Sequence, residues 1–86
     1  MPELSRFYGI VVFMVYADHR PAHFHARYGD DEVSVGLDAA MRVEGRFPRR
    51  ALGLLLEWAQ QHREALLANW EQASRREPLV PIPPLE

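Results

Sequence analysis

The chain has 86 residues, 48% of them hydrophobic, and a formal net charge of −2. The length is typical of one small globular domain, and the hydrophobic share excludes a disordered chain. The net charge excludes a strongly basic nucleic-acid-binding surface. It has no cysteine, which excludes disulfides and thiolate metal ligands. The longest apolar run, residues 10–15, is far shorter than the ~20 residues of a membrane span, and the first residues lack the pattern of a secretory signal, so we expect a cytoplasmic protein with no membrane partner.

The first half of the chain predicts a sheet of three or four strands. Residues 7–16, FYGIVVFMVY, are aromatic and β-branched on both faces and predict a buried strand. Residues 22–28 and 32–37 each alternate between apolar and polar side chains, as half-buried strands do, and turn residues separate them. Residues 41–43 are a candidate for a short fourth strand.

The two alternating segments fit together as one hairpin with a two-residue loop at residues 29–30. In this register apolar side chains face one another across the strands, Phe24 with Val35 and Ala26 with Val33. The opposite face, which we expect to be exposed, carries His23, His25, Arg27, Ser34 and Gly36.

The second half of the chain predicts a helix that begins at Pro48, because proline is favoured in a first turn. Leucine and alanine recur there at helical spacing and form an apolar stripe. A second apolar strip of Leu54, Trp58 and Ala65 either binds a partner or is covered by the proline-rich tail.

The predicted fold class is α+β, with residues 1–86 as a single domain. A mostly antiparallel sheet of three or four strands occupies about residues 5–45. One long C-terminal helix follows over about residues 48–75, and an extended proline-rich tail occupies residues 77–86.

Three of the four histidines lie within residues 18–30, DHRPAHFHARYGD. His23 and His25 are two apart on a predicted strand, roughly 6.5–7 Å from each other on one face, so both imidazoles reach one metal ion. Asp18 and His19, in the preceding loop, are candidates for a third ligand. Nitrogen and oxygen ligands without sulfur suit a divalent metal such as zinc or nickel.

The same surface is open to two other interpretations. His23 and His25 are candidate catalytic residues for proton transfer, with Arg27 as the anion contact, which is the minimum that RNA cleavage requires. The imidazoles alternatively have only a structural role, in which they hydrogen-bond to the backbone of the loop.

Three stretches of the chain are similar to the small bacterial domain-of-unknown-function family 4160: SRFYGIVVFMVYADHRPAHFHARYGD, PRRALGLLLEWAQQHREALLANWEQA and EPLVPIPPL. The family pattern of a strand, then D-H-x-P-x-H-F-H and a Y-G turn, corresponds here to Asp18, His19, Pro21, His23, Phe24, His25, Tyr28 and Gly29. The resemblance implies no established catalytic residue. It implies a gene that is often paired with a neighbour from the unknown-function family 2442, an arrangement similar to toxin–antitoxin modules.

We therefore expect a small bacterial cytoplasmic interaction protein, one component of a two-gene toxin–antitoxin-like module. Its His/Arg sheet face would be the working surface, and it would bind a protein partner or itself. The alternative is a small RNA phosphodiesterase or a metal-binding protein that uses His19, His23 and His25.

Overall fold

The computed structural model describes residues 2–86, which form a five-stranded sheet followed by two helices. The strands are β1 (Glu3–Phe7), β2 (Ile10–Phe13), β3 (His23–Tyr28), β4 (Asp31–Gly36) and β5 (Val43–Gly45), and the helices are α1 (Arg49–Gln61) and α2 (Arg63–Ser74). The strands lie in the order β1-β2-β3-β4-β5, each antiparallel to its neighbour. The α+β class is confirmed, whereas the predicted three or four strands and single helix are wrong.

The extra strand arises from a turn inside the stretch that the sequence predicted as one strand, residues 7–16. Tyr8 and Gly9 have positive φ values of 49° and 83°, as the two central residues of a tight hairpin loop require. Glycine is favoured in that conformation, but tyrosine is not. The sequence pattern therefore does not indicate a turn within this aromatic run. β1 precedes the turn and pairs with β2, which follows it.

The predicted hairpin of β3 and β4 is confirmed in its register. Phe24 pairs with Val35 and Ala26 with Val33, and Tyr28 pairs with Asp31 across the two-residue loop. The candidate fourth strand near residues 41–43 is displaced, because β5 occupies Val43–Gly45 and pairs with β4.

The predicted single helix is interrupted at His62, whose φ of −119° and ψ of 26° are not helical. An unbroken helix over Arg49–Ser74, which is 26 residues, would be about 39 Å long at 1.5 Å per residue. The longest dimension of the molecule is 33 Å. The break therefore allows both halves of the amphipathic segment to pack against a short sheet.

The core lies between one face of the sheet and the two helices. Its fully or almost fully buried side chains from both layers include Ile10, Val12, Phe24, Ala26, Val33, Val35, Leu55, Trp58, Ala59 and Leu66. The face of the hairpin opposite His25 and Arg27 is thus buried against the helices, as its alternation predicts.

The tail is extended and lies across this domain. Ile82 and Leu85 are buried, and the Ile82 N–H donates to the Leu4 carbonyl at 2.9 Å. Trp58 is fully buried, and its indole N–H donates to the Pro83 carbonyl at 2.8 Å. The Trp58 side of the second apolar strip is therefore covered by the chain's own tail. Within residues 2–86, no helix combines the length and apolar character needed to cross a bilayer.

Candidate functional site

Asp18, His23 and His25 converge at one end of the sheet. Asp18 lies in the loop between β2 and β3, and the two histidines lie at the start of β3 on the same face. One carboxylate oxygen of Asp18, Oδ2, is 2.9 Å from His23 Nε2 and 3.2 Å from His25 Nε2. One ligand atom from each residue lies within 4.8 Å of the other two. We call these three residues the His–Asp cluster.

The loop fixes the ring of His23. Its Nδ1 is 2.8 Å from the carbonyl oxygen of Pro21, which is only an acceptor, so Nδ1 carries the hydrogen and donates it. In the neutral ring, Nε2 then has a free lone pair, and this lone pair faces the carboxylate of Asp18. Two acceptors at 2.9 Å repel one another unless a proton or a metal cation lies between them.

The imidazoles are also held by aromatic rings. The Phe13 ring is stacked on the His25 ring, with centroids 5.3 Å apart and an interplanar angle of 14°. Trp70 of α2 packs against His23 with centroids 5.1 Å apart. Only 8% of His23 is exposed, so the face that the sequence predicted as exposed is closed over at this residue.

His19 lies at the edge of the His–Asp cluster. Its backbone N–H donates to Oδ1 of Asp18 at 2.8 Å, which leaves Oδ2 for His23 and His25. The His19 side chain is 82% exposed, and its Nε2 is 3.7 Å from Oδ1. Of the four predicted metal ligands, three are therefore brought together, and the fourth contacts the carboxylate through its backbone.

The environment of Asp18 favours its ionised form. Burial alone raises the pKa of this carboxyl group, but hydrogen bonds from His25 and from the His19 backbone, together with the charge of His23, outweigh burial and lower the pKa below its usual value. The carboxylate is thus negatively charged over the range in which a metal ion would bind it.

A pocket of about 400 Å³ opens beside the His–Asp cluster. The lining residues come from the β2–β3 loop and from β3, β4 and β5 with the segments that join them: His19, Pro21, Ala22, His23, His25, Ser34, Gly36, Leu37, Asp38, Arg42 and Glu44. The small residues predicted opposite the histidines form part of its floor, so a ligand has access to the cluster from this side.

Arg27, the predicted anion contact, does not line this pocket. Its guanidinium lies 3.4 Å from Glu32 and 5.1 Å from the centre of the Phe13 ring. The arginine that does line the pocket is Arg42, with Glu44 beside it on the same wall. The sequence did not predict Arg42 or Glu44 as part of a site. A strand of three residues has too short a pattern to predict how β5 pairs with β4.

Comparison with known proteins found one family. The model of the family described as "Domain of unknown function (DUF4160)" matches residues 9–71, a range that contains the whole His–Asp cluster. No curated protein and no solved structure matches the chain.

Proposed function

This chain belongs to the DUF4160 family of domains of unknown function, and from that premise we propose that it binds a divalent transition-metal ion, such as zinc or nickel, through Asp18, His23 and His25. The observation that carries the proposal is the convergence of three ligand atoms, two imidazole nitrogens and one carboxylate oxygen, within 4.8 Å of one another. Tetrahedral bonds of about 2.0–2.2 Å to zinc place ligand atoms roughly 3.3–3.6 Å apart, so a modest movement of these side chains brings all three atoms to one ion.

The ring of His23 is oriented as a metal ligand. Its Nδ1–H donates to the Pro21 carbonyl, an arrangement that orients a ligating imidazole and increases the basicity of Nε2. A cation between Nε2 and Asp18 removes the repulsion between the two acceptors. Phe13 and Trp70 hold the two rings in place, so little side-chain freedom is lost when the ion binds.

Three protein ligands leave a coordination position for water or a substrate, as in zinc sites that act in catalysis. The pocket beside the cluster gives access to that position. A metal ion there would supply Lewis acidity and activate a bound water molecule. The pocket residues would position the reacting group and exclude bulk water.

Calorimetric titration with Zn²⁺ tests the proposal. We expect one ion per chain for the wild type and at least tenfold weaker binding for Asp18→Asn, which keeps the shape of the side chain but removes its charge. His25→Ala removes a second ligand from a partly exposed position, and we expect a similar loss. His19→Ala serves as the comparison, because the exposed His19 side chain supplies none of the three converging ligand atoms, and we expect nearly wild-type affinity.

Circular dichroism of each variant shows that a loss of binding does not come from unfolding. Affinity must also fall as the pH falls, since protons compete with the metal for the imidazole nitrogens. Wild-type protein that binds no Zn²⁺, Ni²⁺ or Co²⁺, or an Asp18→Asn variant with unchanged affinity, contradicts the proposal.

A second candidate function uses the same residues without a metal. The carboxylate of Asp18 contacts both imidazoles, whose centroids are 5.0 Å apart, and a carboxylate that orients a histidine is typical of general acid–base sites. These contacts support the alternative function, a small RNA phosphodiesterase that cleaves without a metal ion. RNA cleavage that persists in EDTA and disappears in His25→Ala would support it.

The toxin–antitoxin-like role remains a proposal that is supported by the family resemblance alone. It includes a partner protein from family 2442 and a cytoplasmic location in a bacterium. Copurification of the products of both genes after co-expression tests it. We expect a complex of defined stoichiometry, and two proteins that separate on gel filtration would contradict the pairing.

A further inference from the structure

A row of residues connects His23 to the opposite wall of the pocket. His23 of β3 pairs with Gly36 of β4, whose backbone N–H donates to the Arg42 carbonyl at 2.8 Å. Neighbouring strands are ~4.8 Å apart, so the backbone of Arg42 lies ~10 Å from that of His23. Gly36 lies between them without a side chain, and Oδ1 of Asp38 lies beside it, 3.6 Å from where a Cβ would stand.

A second row runs parallel to the first. His25 pairs with Ser34, and Ser34 pairs with Glu44 of β5. Glu44 and Arg42 are two residues apart and both line the pocket opposite the histidines. One wall of the pocket therefore carries two of the proposed metal ligands, His23 and His25, and the remaining charged lining residues are Arg42 and the two carboxylates of Asp38 and Glu44.

Among the residues that line the pocket, Arg42 is the one arginine. Arg6, Arg27 and Arg75 each pair with a carboxylate. In the range that the structure describes, residues 2–86, the exposed guanidinium of Arg42 forms no such ion pair, although Glu44 is near it along the chain. Its hydrogen-bond donors are therefore available to a ligand in the pocket.

We propose that the pocket binds an oxyanion group, a phosphate or a carboxylate, between the metal ion and Arg42. The inference rests on the proposed metal site. The open coordination position accepts one anionic oxygen, and the planar guanidinium donates paired N–H groups to the others. The carboxylates of Asp38 and Glu44 oppose a negative ligand, so binding of the oxyanion depends on the two cationic groups, the metal ion and Arg42.

The rest of the ligand is less polar than its oxyanion. Pro21, Ala22 and Leu37 contribute apolar surface to the same pocket, and small-molecule sites combine such surface with a few polar anchors. The ligand class that fits is a small organic phosphate or carboxylate with an apolar or planar body.

Calorimetry on zinc-loaded protein freed of excess zinc tests the inference, with inorganic phosphate and acetate as the two probes. We expect Arg42→Ala to weaken binding of the preferred probe about 10- to 100-fold, the effect of losing a charge-assisted hydrogen bond. Glu44→Gln should strengthen binding, because it removes a negative charge from the pocket. Arg46→Ala, an exposed arginine outside the pocket, should leave the affinity unchanged.

The preferred probe distinguishes the two sources, since tighter phosphate binding indicates phosphate esters and tighter acetate binding indicates carboxylates. Zinc binding without binding of either probe, or an Arg42→Ala variant with wild-type affinity, overturns the inference and leaves the metal site intact. Protein that binds no metal overturns both proposals. Equal weakening in Arg42→Ala and Arg46→Ala shows a nonspecific charge effect and also overturns the inference.

Discussion

At the residue scale, Asp18 connects the loop to the sheet through its two carboxylate oxygens. Oδ1 accepts the backbone N–H of His19, and Oδ2 faces the imidazoles of His23 and His25. Burial raises the pKa of Asp18, but the hydrogen bonds and the charge of His23 lower it by more. The folded protein therefore favours the ionised carboxylate.

We expect the metal-free protein to lose stability in acid as Asp18 becomes protonated. Its folded-state pKa lies below the unfolded value of about 3.9. Its contribution to the free energy of unfolding is therefore fully present well above pH ~4 and is lost as the pH falls through the folded-state pKa. Denaturant titrations in EDTA should show a steeper decline below pH ~4 for the wild type than for Asp18→Asn. Equal declines would show that the fold does not hold Asp18 ionised.

At the element scale, the tail acts as an additional layer over α1, α2 and β1. Asn69 of α2 is buried, and its side-chain amide donates to the Val80 carbonyl at 3.0 Å and accepts the Val80 N–H at 2.7 Å. The tail also provides the acceptor for the Trp58 indole. Polar contacts therefore fix the position of the tail, and its two buried apolar side chains complete the core.

Deletion of residues 78–86 should destabilise the domain by about 3–6 kcal/mol, because burial of Ile82 and Leu85 contributes about 1.5–3 kcal/mol each. Chemical denaturation measures the loss, and red-shifted tryptophan fluorescence should report the exposure of Trp58. Val80→Ala is the matched control, since the Val80 side chain is 57% exposed, and its effect should be small. A shortened protein with wild-type stability and fluorescence would contradict this role of the tail.

At the scale of the whole molecule, residues 2–86 form one sheet with a helical layer on one face. A chain of this size has little stability to spare, about 5–15 kcal/mol in native domains. Burial of Trp58 by the tail removes one of the grounds on which the sequence suggested self-association. The pocket beside the His–Asp cluster is open to a ligand.

Phe24→Ala should lower the free energy of unfolding by about 3–5 kcal/mol, because Phe24 is fully buried between the sheet and Trp58. Thermal and urea denaturation should show a large loss of stability or an unfolded chain. Tyr28→Ala, in the same strand but 38% exposed, should cost less. If the two substitutions had equal effects, the helices would not pack on the face of the sheet described here.

The sequence by itself determined the α+β class, the register of β3 and β4 and the shared face of His23 and His25, because alternation and a two-residue turn are local properties of the chain. Asp18 was one of four candidate ligands. The local pattern did not distinguish its role from that of His19.

Only the tertiary structure decided the rest. The turn at Tyr8 requires a positive φ that tyrosine seldom adopts, and the break at His62 accompanies the packing of two helices on a short sheet. The position of Arg42 opposite the histidines depends on how β5 pairs with β4. The break at His62 and the position of Arg42 depend on contacts between residues far apart in sequence, which no pattern in a short stretch records. The turn at Tyr8 is local, but it contains a residue type that seldom forms such a turn.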